Sequence, residues 1–348
     1  MKKIVMILMA VTLMTVVLSG PVTAADTFKI AWSHYTGWEP WEYARESGIL
    51  KKWADKYGIA IELTLVNDYI ESINLYTGGG FDGCTMTNMD ALTIPAVGGV
   101  DSTALIIGDF SNGNDGIVMK NGGAVTDLKG REIKLVELSV SHYLLARALD
   151  KNGMTEKDLT VMNTSDSDIA AVFASDPNGA VVTWNPPLMQ CRNEKGAKLV
   201  FDSSQIPGEI IDLLVVRSDT PDTLKKALVG AWYETMAVMS GKSKEAMAAI
   251  ASMAKFAGGT EAEFKAQLRT TQMFYQPAES VTFAQSDNLK KTMEYVRAFC
   301  FDHGLYGDAD SKDLVGIQFP DGAVIGDQKN VKLRFDATFM KMAADGSL

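Results

Sequence analysis

From Thr27 to Val216 the chain alternates short β-prone runs with stretches of helical periodicity, a rhythm that few folds accommodate. Thr27 to Trp32 reads as a first strand. Gly37 supplies a turn, and Pro40 suits the first turn of a helix that continues through Tyr43 and Ala44. Ala60 to Val66 alternates as a second strand, and Asn67-Asp68 then caps a helical stretch ending at Gly78-Gly79-Gly80. A third strand surrounds Cys84, with Thr87 or Asn88 placed to cap a helix from Asp90 to Val97. Thr103 to Ile107 is a fourth. Such units build a mostly parallel sheet flanked by helices, so the chain is of the α/β class.

Phe110-Ser111-Asn112-Gly113-Asn114-Asp115 is all turn chemistry, and the strand-like Gly116 to Met119 follows it. Asp115 to Lys120 is read as a crossing into a second lobe. That lobe repeats the rhythm with strands at Glu132 to Val136, Leu159 to Met162 and Ala180 to Thr183, and helices at Ser139 to Asn152 and Asp166 to Ala174. The apolar run Ile210 to Val216 reads as the return, and two crossings imply a two-strand hinge. Helical periodicity then dominates over Asp222 to Ser240, Lys242 to Phe256, Glu261 to Thr270 and Asn288 to Phe301. The Met-rich faces of these helices, including Met236, Met239, Met247 and Met253, are expected to fill a core. Beyond Gly304 the chain reads as loop until a short helix near Phe335 to Met342. The expected organisation is a leader over residues 1–25, a first lobe over 26–118, a second over 119–212, and a return to the first over 213–348.

The leader rests on Lys2 and Lys3 before an apolar stretch from Ile4 to Leu18, with small residues at Val22-Thr23-Ala24. Cleavage near Ala24/Ala25 would release the mature chain into a periplasm, because the stretch is short for a membrane span and no cysteine follows it to carry a lipid. Losing Lys2 and Lys3 takes the formal net charge from −10 to −12, which argues against nucleic acid or anionic lipid as a partner. Cys84, Cys191 and Cys300 lack zinc-type spacing; one disulfide or three buried thiols both fit the count.

Between Gly58 and Met119 there is no Lys or Arg, while Glu62, Asp68, Glu71, Asp82, Asp90, Asp101, Asp109 and Asp115 are all present. Several of these acids fall at strand exits, where open α/β sheets bind ligands. A cleft lined by one sign of charge attracts the other. Trp38 and Trp184 each follow an expected strand, one per lobe, and Trp is the best ring for holding a cation on its face. Trp41 reads as core cover instead. Glu137, at the exit of a second-lobe strand, is the preferred carboxylate there. Asp82 and Asp115 are the first-lobe candidates, although either could equally cap a turn. No catalytic, metal or cofactor signature emerges. His34, His142 and His303 have no partner at metal-ligand spacing, the Gly78 to Gly80 run lacks the Lys of a phosphate loop, and no Ser sits in a nucleophile elbow.

At Thr126-Asp127-Leu128-Lys129-Gly130-Arg131-Glu132-Ile133, at VELSVSHYLLARAL, and at AVVTWNPP from Ala180 to Pro187, the chain resembles the periplasmic substrate-binding proteins of ABC importers. It looks most like the group for nitrate, sulfonates, taurine and thiamine precursors. Within that group, HYTGWEPW, GCTMTNMDAL and GDFSNGNDGIVMK look like the subgroup whose genes neighbour urea or guanidine carboxylase. The resemblance implies a type II binding-protein fold, two α/β lobes joined by a two-strand hinge, closing as a monomer on a small nitrogenous solute and delivering it to a membrane permease. Carried over residue by residue, it points to Trp38, the Thr87 and Asn88 turn, Ser111, Glu137 and Trp184. The missing basic residues depart from the sulfonate and nitrate members and turn the expectation toward guanidine, with urea as the alternative ligand. A thiamine-pyrimidine synthase-like enzyme shares the fold, but would call for a reactive Lys or His and a Cys-rich iron motif.

Overall fold

The computed structural model describes residues 25–348, so the expected leader and its cleavage point lie outside the described residues. Two sheets organise the chain. The first runs in the order Val324–Ile325, Gly316–Gln318, Val331–Phe335, Ser102–Ser111, Ile211–Arg217, Gly83–Thr87, Thr27–Trp32, Ala60–Leu65, with Thr271–Met273 also paired to Ser102–Ser111. The second runs Thr160–Asn163, Glu132–Leu135, Ala180–Trp184, Asp115–Lys120, Ala197–Asp202. Both sheets are mixed rather than mostly parallel, because the strands that leave and re-enter a lobe run antiparallel to their neighbours: Ile211–Arg217 against Gly83–Thr87 and Ser102–Ser111, and Asp115–Lys120 against Ala180–Trp184 and Ala197–Asp202.

Local chemistry sets the helix starts. Asp68 accepts the backbone N–H of Glu71, Thr87 accepts that of Asp90, and Ser139 accepts that of Ser141. The helix expected from Asp90 to Val97 is α-helical only over Asn88–Ala91 and continues as a π-helical turn over Leu92–Ala96, where Pro95 interrupts the hydrogen-bond ladder. The tail expected to be loop instead adds Gly316–Gln318, Val324–Ile325 and Val331–Phe335 to the first sheet. Its strands are too short for a periodic signal, and Leu333 and Phe335 are buried by pairing with Ser102–Ser111. Met236, Met239 and Met253 fill the core as expected, whereas Met247 faces solvent. All three cysteines are free and buried. Among the described residues no helix is long and apolar enough to cross a membrane.

The chain passes from the first sheet to the second over residues 112–114 and returns over 203–210. The two passages are stitched together: Ser111 and Ser203 hydroxyls share a 2.6 Å hydrogen bond, Gly113 N–H donates to Ser203 Oγ at 2.7 Å, and Ser111 N–H donates to the Ile210 carbonyl at 3.0 Å.

Away from the passages, the sheets' helices meet at a histidine pair. Glu156 Oε1 lies 3.1 Å from His142 Nε2 and 3.0 Å from His303 Nε2. His142 Nδ1 accepts the Leu138 N–H at 3.1 Å, so its ring proton is on Nε2. His303 Nδ1 faces the Phe299 carbonyl at 2.9 Å, which can only accept. With Nε2 toward a carboxylate, both ring nitrogens of His303 face acceptors, which favours the imidazolium form. The two imidazoles pull the Glu156 carboxyl down to about 2, and Glu156 in turn raises His303. Because His303 is raised, its contribution is complete below the usual imidazole value of about 6.5 and fades as pH rises through the folded value. Because Glu156 is depressed, its contribution is complete above the usual carboxyl range and fades as pH falls toward 2. Both groups are partly exposed, so screening limits the effect. Glu156→Gln is expected to lower stability by about 1 kcal/mol at pH 6, and thermal melts at pH 6 and 9 should show that difference shrinking at the higher pH.

Candidate functional site

Where the two sheets meet, a small cavity is lined by Tyr35, Trp38, Tyr69, Thr87, Asp115, Val140, Trp184, Ile210 and Asp212. Each wall follows from a strand end. The loop after Thr27–Trp32 supplies Tyr35 and Trp38, and it is pinned by the Thr36 hydroxyl donating to Gln267 Oε1 at 3.0 Å and by His34 Nδ1 against Glu39 Oε1 at 2.7 Å. Gly37 in that loop lies against a carboxylate: a Cβ there would sit 2.3 Å from Asp109 Oδ2 and 2.5 Å from Tyr35 Cε1. Only glycine admits that approach.

The aromatic rings form a continuous wall. Tyr35 meets Trp38 edge-on at 5.0 Å, Trp38 meets Tyr69 at 5.6 Å, and Tyr69 meets Trp184 edge-on at 5.4 Å. Trp184 Nε1 donates to the His34 carbonyl at 3.4 Å, and Asp166 accepts the Tyr69 N–H at 3.4 Å, so both contacts tie the lobes together across the cavity. Trp41 lies elsewhere, packed on Trp232 at 5.0 Å in the core.

Four aspartates are buried around these rings. Asp90 accepts the Tyr69 hydroxyl at 2.6 Å and the Thr87 hydroxyl at 2.8 Å. Asp109 accepts the Tyr35 hydroxyl at 3.0 Å. Asp212 pairs in register with both Thr87 and Asp109, on either side of its strand. Asp115 begins the entering strand, opposite Trp184, and its N–H is held by Ser111 Oγ at 3.0 Å. One oxygen of each aspartate, and Trp38 Nε1, is buried with no hydrogen-bond partner among the described residues. Burial pushes Asp90 up to about 6, and Asp109 and Asp115 up to about 7. Asp212 is raised well above the usual carboxylate range by burial and by the neighbouring Asp109 and Asp115 charges. Buried carboxyls without a counter-charge are costly when ionised, and none of the ion pairs among the described residues reaches these four. The arrangement is complementary to a small cation with several N–H donors: carboxylate oxygens in several directions and ring faces around them.

Four of the expected site residues, Trp38, Thr87, Asp115 and Trp184, line this cavity. The other four do not, and each correction has a local cause. Asp82 sits at the opposite end of its strand and accepts the Lys29 N–H at 2.7 Å. Asn88 is buried but spent on the return passage, its amide donating to the Glu209 carbonyl at 3.2 Å and its oxygen accepting the Ile211 N–H at 3.0 Å. Ser111 is a hinge residue, bonded to Ser203 and Asp115. Glu137 is exposed: its N–H is held by Asn163 Oδ1 at 2.9 Å, and Leu138 then turns at φ 61°, carrying the side chain to the surface. Sequence reasoning passed over Tyr35, Tyr69 and Asp212 in the cavity wall, and Asp90 and Asp109 behind it. The available signal was a lone Asp inside the apolar runs ALIIGDF and IIDLLVV, where a charge has no reason to be buried unless something pairs with it.

The cavity between the sheets is small.

Residues 110–231 match the family described as NMT1/THI5 like. No curated protein matches the sequence. Among solved structures, the alkanesulfonate-binding protein SsuA from Xanthomonas axonopodis pv. citri bound to MOPS is similar with a TM-score of 0.66 at 16% identity, covering 82% of this chain and 96% of that one. The periplasmic aliphatic sulphonate binding protein SsuA from Escherichia coli gives a TM-score of 0.63 at 16% identity over 82% and 95%. The periplasmic nitrate-binding protein NrtA from Synechocystis PCC 6803 gives 0.57 at 13% identity over 94% and 100%. The chain therefore has the two-lobed periplasmic binding protein fold, its α/β sheets flanked by helices.

Proposed function

We propose that this chain is the extracytoplasmic solute-binding protein of an ABC importer and that its ligand is a small nitrogenous cation, guanidinium foremost. The observation that carries the reading is the buried, unpartnered carboxyl oxygens that Asp115 and Asp212 bring to a cavity walled by Trp38, Tyr69 and Trp184, with those of Asp90 and Asp109 behind Tyr69 and Tyr35. A planar cation would place its N–H groups on the carboxylates and its face on the rings. Sulfonate and nitrate, for which similar binding proteins are named, are anions, and a pocket of carboxyls repels them. Urea is the second reading, favoured by carboxyls raised to about 7, which in their neutral form donate to a carbonyl oxygen. The enzyme alternative finds no Lys, His or Cys in the cavity lining.

Calorimetry of the mature chain against guanidinium, urea, nitrate and taurine tests this. Guanidinium should bind and the anions should not; a signal with taurine and none with guanidinium would sink the reading. Trp184→Leu keeps an apolar wall but removes the ring face, so guanidinium affinity should fall by about 0.5–2 kcal/mol. Ligand contacts on both lobes favour closure, so small-angle scattering should show a monomer whose radius of gyration decreases with saturating guanidinium.

A further inference from the structure

Asp109 and Asp212 face one another across the antiparallel pair Ser102–Ser111 and Ile211–Arg217, at 0% and 2% exposure. Tyr35 donates to Asp109 Oδ1, yet Oδ2 of each aspartate has no donor from the protein. The groups around the pair are Tyr35 from the loop after the first strand, Asp115 from the second sheet, Tyr275 beyond Thr271–Met273, and Thr87 with Asp90 at the end of Gly83–Thr87. Beside these hydroxyls and carboxyls stands the Asn114 amide, which reaches Tyr35, and among the described residues no cation stands with them. Two adjacent buried carboxylates cannot both hold their charge in such a setting.

We infer that Asp109 and Asp212 share one proton when no ligand is bound, and that a cation entering the cavity takes the place of that proton. The shared proton gives both orphaned carboxyls a partner. Burial raises both acids; Asp109 raises Asp212 further, while a hydrogen bond with Asp212 lowers Asp109, in accord with a proton held between them. The inference rests on the cationic reading of the ligand. On binding, one positive charge enters, the Asp O–H bond breaks, and the proton leaves to solvent, so the charge of the site is conserved. Neutral urea brings no charge to replace the proton and would bind without releasing one. Selection for a cation is thus made by what the pocket gives up as well as by what it contacts.

The test joins infrared spectroscopy with calorimetry. Ligand-free parent protein at pH 8.5, above the range in which Asp90 and Asp115 titrate, should show a protonated-carboxyl absorption that Asp212→Asn removes and that guanidinium bleaches; circular dichroism checks folding, and Asp109→Asn serves if Asp212→Asn does not fold. Guanidinium titrations in buffers of different ionisation enthalpy should report release of about one proton per ligand, with affinity rising about tenfold per pH unit on the acid side of the pair's titration and flattening in Asp212→Asn. Absence of the absorption from the ligand-free parent overturns the shared proton. Guanidinium binding with no proton released overturns the exchange while the cationic reading stands. An absorption that is present while guanidinium fails to bind at any pH overturns the exchange together with that reading, and leaves the shared proton supported.

Discussion

Asp115→Asn should cost guanidinium binding about 2–5 kcal/mol, a loss of roughly 30- to 5,000-fold, while urea affinity changes by less than about tenfold. Asp115 is 2% exposed, stands opposite Trp184 in register, and leaves Oδ2 without a partner in the cavity wall. Asparagine preserves its shape and one acceptor oxygen but removes the charge and sets an N–H₂ where the ligand's own N–H groups would point. For a cation that exchanges a charge-assisted bond for a donor–donor clash. Urea can turn its carbonyl toward the new amide. Stability should move the other way: burial already pushes Asp115 up to about 7, so the carboxyl is a cost to the fold, and the variant should melt at the parent's temperature or above it. Calorimetry with both ligands and a thermal melt decide the matter. A folded variant that binds guanidinium like the parent would transfer the anchoring role to Asp212 or Asp90.

Gly37→Ala should lower stability by about 1–3 kcal/mol and weaken guanidinium binding at least about tenfold, although only one methyl group is added. The backbone conformation is not the obstacle. The added Cβ would overlap Asp109 Oδ2 at 2.3 Å and the Tyr35 ring at 2.5 Å. Neither neighbour can retreat, since Asp109 is fixed in a central strand and Tyr35 is 3% exposed beneath Trp38. The Tyr35 to Asp109 hydrogen bond must break or the loop must lift, and either change moves two cavity walls. Denaturant unfolding and calorimetry check both effects. A variant equal to the parent in both would show that the loop adapts without cost.

Much of the frame was legible because it is local. The capping of helices by Asp68 and Thr87, the turn at Gly37 and the helix start at Pro40 depend on residues a few positions apart. The turn chemistry at Phe110 to Asp115 was legible for the same reason, but sequence reasoning puts the crossings one element late: Asp115–Lys120 and Ile211–Arg217 are strands within the sheets, and the chain crosses in the turns before them. What misled were residues with the right chemistry in the wrong surroundings. Glu137 ends a strand as a cleft residue should, but the turn at Leu138 points it outward. Asn88 and Ser111 lie beside the cavity and have their polar atoms taken up by the passages between lobes.

The sequence by itself determined an α/β chain with two crossings, an acidic stretch without Lys or Arg from Gly58 to Met119, and a Trp at one strand exit in each lobe. Only the tertiary structure decided which acids make the site. Asp212 lies more than a hundred residues beyond Thr87 and Asp109, and it meets both because Ile211–Arg217 inserts antiparallel between their strands. Tyr35 and Tyr69 join the site through side-chain bonds to Asp109 and Asp90 that no spacing encodes. Strand order and register are settled by burial of whole faces across the sheet, a property of the assembled core, so the partners of a buried carboxyl cannot be read from its neighbours in the chain.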